Sequence, residues 1–136
     1  MDQETGSLSE RRALQVAVAT AGLLPVASGA LGVLRPELLF AGPPHALTHA
    51  AYLSGLLLGI GLAFWSLIPA IERQSRAFGL LTALVVLGGL ARALAALRLG
   101  AWGLPVALPL VMELGITPAL WLWQRRVAHS SNSPPE

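Results

Sequence analysis

Arg92 and Glu113 are the residues of this chain best placed to do chemistry, because each stands alone among apolar residues. A charge in such surroundings is costly and is kept for a structural or functional purpose. A guanidinium beside a carboxylate there allows three things. It can bind a polar head group, move a proton through Glu113, or act as a fixed ion pair between two helices. Thr117 follows Glu113 by four residues, within reach along a helix. A weaker set lies earlier in the chain. His45 and His49 share a helical face at i, i+4 spacing, with Tyr52 one turn further on. Two histidines do not make a metal site. Glu37 would join them as a third ligand only if the loop folded back, so neither a metal centre nor a cofactor is expected. The imidazoles are expected at an interface, exposed to solvent, with Tyr52 as an interfacial aromatic.

The elements that must position Arg92 and Glu113 are long apolar helices. Four stretches qualify: Ala13 to Leu34, about Ala50 to Ala70, Ala77 to Leu97, and about Leu104 to Trp123. At 1.5 Å per residue each spans roughly 30 Å, the thickness of the hydrocarbon core. Backbone groups in lipid must be satisfied within the segment, which requires helices. The expected fold is all-α, an integral membrane bundle of four transmembrane helices over residues 13–127. Polar ends, 1–12 and 128–136, are expected to be disordered. Arg11-Arg12 before an apolar run resembles a twin-arginine start, but the first run is longer than the 7–15 residues of a typical signal core.

Counting along the third and fourth segments brings the two charges together. Arg92 lies six residues before Arg98, roughly 9 Å below the boundary. Glu113 lies ten residues after Gly103, roughly 15 Å below the same boundary. Side chains lean toward the N-terminus of their own helix, so these two converge. Pro118 removes an N–H that the carbonyl of Leu114 would use, which predicts a kink just past Glu113.

Helices in lipid associate through close packing at small residues. The expected seams are Gly22, Gly29 and Gly32 in the first span, the GxxxG pair Gly55 and Gly59 in the second, and Gly88 and Gly89 in the third.

Composition agrees with the membrane class. Of 136 residues, 54% are hydrophobic and 12% charged, about half the charged fraction of soluble domains. All nine basic residues are arginine, and all but Arg92 lie at segment ends rather than on one basic face, which argues against a nucleic-acid partner. Arg11, Arg12, Arg73, Arg76, Arg125 and Arg126 share one side; only Arg35 and Arg98 lie on the other. That asymmetry is expected to place both termini in the cytoplasm. Trp65, Trp121 and Trp123 would line the inner interface, and Tyr52 and Trp102 the outer one. The expected partners are the lipid bilayer and a second copy or another membrane protein. There is no cysteine, which excludes thiolate metal sites and a cysteine nucleophile. Phosphate-binding loops, zinc-protease motifs and nucleophile elbows are absent from the sequence.

Three stretches resemble a bacterial membrane family known as domain of unknown function 4345. They are GALGVLRPELL (Gly29 to Leu39), YLSGLLLGIGLAFW (Tyr52 to Trp65), and GGLAR (Gly88 to Arg92) followed by ELGITPALWLW from Glu113. The resemblance runs from about residue 20 to residue 126. It implies four membrane helices and an Arg/Glu pair. Thr48 and His49 depart from the acidic and basic residues the family often carries before its second helix. The resemblance implies no activity, since none is established for the family. The expected description is therefore an integral membrane protein of unknown activity, for which an accessory subunit or a binder of a small lipophilic molecule is the first reading. The alternatives are a dimeric proton-coupled transporter, and an enzyme using Glu113 as acid or base on a lipid-like substrate.

Overall fold

A computed structural model describes residues 2–130, with side chains from Leu8 to His129. The described residues form α1 (Asp2–Leu34), α2 (Pro36–Leu39), α3 (Pro44–Leu67) with a 3-10 turn at Ile68–Ala70, α4 (Ser75–Leu99), α5 (Leu104–Val111), a π-helical turn at Met112–Ile116, and α6 (Thr117–Ser130). The fold is all-α. Four segments are long and apolar enough to cross a membrane: Leu8–Leu34, Pro44–Ala70, Ser75–Leu99 and Leu104–His129. Each is longer than hydropathy alone suggests, because helix propagates from an apolar core into flanking residues until a breaker stops it.

That propagation corrects the polar start. Of residues 1–12, expected to be disordered, residues 2–12 belong to α1. No proline precedes Pro25 to interrupt it. At the other end, α6 carries 128–130, and residues 131–136 lie outside the described part.

The chain divides into two compact units. The unit Val16–Ile68 is an antiparallel pairing of α1 and α3. Val18, Gly22, Gly29 and Gly32 form the buried stripe of α1. A Cβ on Gly29 would lie 2.7 Å from the Leu58 nitrogen, and one on Gly61 would lie 2.7 Å from Val26 Cγ2. Gly32 faces Ser54, and Gly22 faces the indole of Trp65. Trp65 Nε1 donates to the carbonyl of Ala19 at 3.2 Å. Trp65 is therefore an interhelical donor as well as an aromatic near a helix end. The expected Gly55 and Gly59 seam is displaced. Gly59 has no neighbour within 4 Å, and Gly55 meets only Val33 at 3.7 Å. The seam runs through Ser54, Leu58 and Gly61 instead, about 100° around the helix. GxxxG spacing marks a smooth face but does not say which smooth face is turned inward.

The unit of Met1–Gln15 with Pro69–Glu136 contains the rest. Phe78, Thr82, Gly89 and Ala96 form the buried stripe of α4. Leu14, Ile71, Phe78 and Gln124 are essentially inaccessible. Gly100, at φ +62°, ends α4 in the left-handed conformation that glycine adopts without steric cost, and its N–H returns to the Ala96 carbonyl. Gly89 packs against Glu113 and Leu114 as expected of a seam glycine, whereas Gly88 faces open space.

Candidate functional site

Gly89 is what allows the site to form. A Cβ there would lie 2.9 Å from Glu113 Cβ and 2.8 Å from Leu114 Cδ2. Without it, the π turn seats directly on α4, one turn below Arg92. The π turn in its own right answers to Pro118. In a regular α-helix the Pro118 ring would clash with the Leu114 carbonyl and leave it undonated. One extra residue per turn relieves this: the Thr117 N–H reaches back to the Met112 carbonyl. The Thr117 hydroxyl donates to the same carbonyl at 2.8 Å. Thr117 thus completes the π turn; its recorded partner is Met112, not the expected Glu113. Turns of this type recur at functional sites.

Arg92 and Glu113 meet edge to edge. Nε donates to Oε2 at 3.0 Å and Nη2 donates to Oε1 at 2.9 Å. Such parallel, charge-assisted bonds are about twice as strong as neutral ones. The Glu113 side chain is 16% exposed and that of Arg92 is 43% exposed. A guanidinium has five N–H groups. Two are used here, and three are not engaged by Glu113. The arrangement offers hydrogen-bond donors within an otherwise apolar helix, with their charge balanced by the adjoining carboxylate.

The weaker candidates do not assemble. His45 and His49 are exposed. The His49 and Tyr52 rings lie 6.4 Å apart between centroids, tilted by 30°. Glu37 is engaged by Arg35 Nε at 2.5 Å, so the loop does not bring it to the histidines. That hydrogen bond lowers the Glu37 carboxyl below its usual value. Among the described residues no group of three or more His, Cys, Asp or Glu side chains could hold a metal ion.

A second polar cluster was missed in the sequence. Arg11 Nε lies 3.1 Å from Glu72 Oε2, poorly aligned for a hydrogen bond, and Arg11 Nη2 donates to the Pro69 carbonyl at 3.0 Å. Gln124 Nε2 donates to the Ile71 carbonyl at 2.7 Å and to Ser75 Oγ at 2.8 Å. The signal available was small: Glu72 is the single acid of its short loop, and Gln124 sits between an apolar run and two arginines. Thr82 adds a buried hydroxyl with no hydrogen-bond partner.

The family model for domain of unknown function 4345 matches residues 13–124, which covers all four apolar helices and both members of the charged pair. No curated protein and no solved structure matches the chain. The chain belongs to the domain of unknown function 4345 family.

Proposed function

We propose that this member of the family is a multi-pass protein of a bacterial inner membrane that binds a small lipophilic molecule at Arg92. The observation that carries the reading is the bidentate pair with its exposed guanidinium edge. Arg92 and Glu113 neutralise each other, so the pair suits a neutral ligand with a hydrogen-bond acceptor, such as a carbonyl or ether oxygen. An anionic ligand would add a net charge at membrane depth, at a cost of about 2.5–3.5 kcal/mol on the insertion scale. The arginine asymmetry supports cytoplasmic termini. The bilayer is the first partner. Exposed Gly59 and Gly88 would let a second copy or another membrane protein approach closely, in keeping with an accessory-subunit role.

Exchange of protons or acid–base catalysis at Glu113 would require the carboxylate to leave Arg92, since both of its oxygens are engaged. The contact therefore favours a held pair over a transporter or an enzyme.

The test is extraction of the protein in mild detergent, followed by native mass spectrometry and identification of copurifying small molecules. Wild type should retain a neutral lipophilic species. The Arg92→Leu/Glu113→Leu variant, folded by circular dichroism, should emerge without it. Equal retention by both would remove the pair from the binding site.

A further inference from the structure

We propose that an open groove between α1 and α6 is a site for the head group of an anionic phospholipid. The groove encloses about 640 Å³ and is lined by Glu10, Leu122, Arg125, Arg126 and His129. It is separate from the Arg92 pair and independent of the reading given for it.

Charge is the first argument. Among the described lining residues two arginines stand against one carboxylate, before His129 is considered. Basic pockets beside membrane helices bind anionic lipid head groups, and the phosphodiester matches the planar donor fork of arginine.

Preorganisation is the second. The Arg125 guanidinium lies over the Trp121 ring, 5.2 Å from its centroid. Trp121 is itself seated in the notch at Gly79, its Nε1 3.1 Å from where a Cβ would stand. Among the described residues Arg125 enters no ion pair. Its charge is thus held in place by an aromatic face while its donors stay uncommitted to a carboxylate. His129 is tethered in turn: Nδ1 lies 2.6 Å from the Arg125 carbonyl. A carbonyl only accepts, so Nδ1 carries the proton. Groups fixed in advance lose less entropy when a ligand arrives.

Position is the third. Arg125 and Arg126 stand one residue beyond the apolar run that ends at Trp123, which is where hydrocarbon gives way to head groups. Leu122 is 55% exposed and lies in the same lining, so an acyl chain can follow α6 while the phosphate sits among the arginines.

The experiment uses the full chain in mild detergent. It is titrated with dioleoyl phosphatidylglycerol or dioleoyl phosphatidylcholine, and bound lipid is counted by native mass spectrometry. Wild type should prefer the anionic lipid by roughly thirtyfold, the scale set by two juxtamembrane arginines. Arg125→Gln/Arg126→Gln should abolish the preference. Arg73→Gln/Arg76→Gln removes the same charge elsewhere and should preserve it. Glu10→Gln should raise anionic-lipid binding. If the first double variant does not fold, Arg126→Gln alone, which leaves the Trp121 stack intact, should still reduce the preference. Equal losses in the two double variants would reduce the effect to net charge and overturn the site. Displacement of the lipid by an equal concentration of inorganic phosphate would assign the groove to a free oxyanion and overturn the lipid.

Discussion

Two arginine–glutamate pairs lie in the same compact unit and do different work. Arg11–Glu72 is at the Ile71–Gln74 turn; Arg92–Glu113 is inside two apolar helices. Both glutamates are 16% exposed. At the turn, the donors go to main-chain oxygens that the helix ends leave over. Arg11 serves Pro69, and Gln124 serves Ile71. That end is a latch whose donors close helix ends, while Arg11 Nε, Glu72 Oε2 and Gln124 Oε1 keep no hydrogen-bond partner. In the span, Arg92 and Glu113 satisfy each other edge to edge and take no main-chain partner among the described residues. A polar group that closes a helix end explains itself through the fold. One placed where the helices are already complete does not, which is why the ligand is assigned to Arg92 and not to Arg11.

The sharpest way to break that contrast is to strand one charge. Arg92→Leu or Glu113→Leu should each cost about 2.5–3.5 kcal/mol, the insertion cost of a lone charge at mid-helix. The double variant should recover much of the loss, because an unpaired charge hurts more than a missing pair. Melting temperatures in detergent for the full double-mutant cycle measure the coupling. Additive losses would show that the contact carries no energy, and the span pair would then be no different from a surface pair.

Gln124→Leu tests the latch. The variant keeps volume but leaves the Ile71 carbonyl and Ser75 hydroxyl without their donor. A buried group left unsatisfied costs about 1–3 kcal/mol. Faster hydrogen exchange should appear at residues 71–78 before it appears elsewhere. A variant that melts with wild type would mean that Leu14, Ile71 and Phe78 hold this end by apolar packing alone.

Arg11→Gln and Glu72→Gln form the weaker cycle. The ion pair is misaligned and Arg11 is 35% exposed, so a coupling below about 1 kcal/mol is expected. Arg11→Gln should cost more than Glu72→Gln, since it also gives up the bond to Pro69. A coupling as large as that of Arg92–Glu113 would erase the distinction between the two ends.

The same contrast explains what could be read from the sequence. The four apolar helices follow from hydropathy, because lipid leaves the backbone no other solution. The Arg92–Glu113 contact follows from counting residues down two helices joined by a short turn. Gln124 does not, since its partners are a main-chain oxygen, which any residue supplies, and the Ser75 hydroxyl, which no spacing singles out. Gly61 and Gly79 were passed over, and Gly59 and Gly88 chosen, because rotation about a helix axis is decided by the neighbouring surface. Trp65 and Trp121 read as interfacial aromatics, yet each fills a glycine notch that only the packed pair reveals. Pro118 located the irregularity in the last helix, but whether the chain answers with a kink or with a π turn depends on where the freed carbonyl finds a donor. Thr117 marks the π turn, its N–H reaching the Met112 carbonyl one residue later than in a regular helix.

The smallest expected effect is at the third pair, Arg35–Glu37, which repeats the chemistry in water and so calibrates the other two. Arg35 Nε bonds Glu37 Oε1, and both side chains are exposed at the one-turn helix α2. This hydrogen bond holds the Glu37 carboxyl below its ordinary value of 4.5. A carboxyl lowered in the folded state adds stability above its unfolded pKa and loses that contribution as pH falls through the folded value. The contribution is therefore present at neutral pH and disappears only in acid below 4.5. Exposed pairs are screened by water and salt, so Arg35→Gln should leave the melting temperature at pH 7 unchanged within error. What should change is the titration of Glu37 itself. Followed by carbon-detected NMR, its midpoint should rise to the ordinary carboxylate range in the variant. If Arg35→Gln instead destabilises the protein as much as Arg92→Leu does, burial does not set the worth of these pairs, and the ordering from span to latch to loop fails.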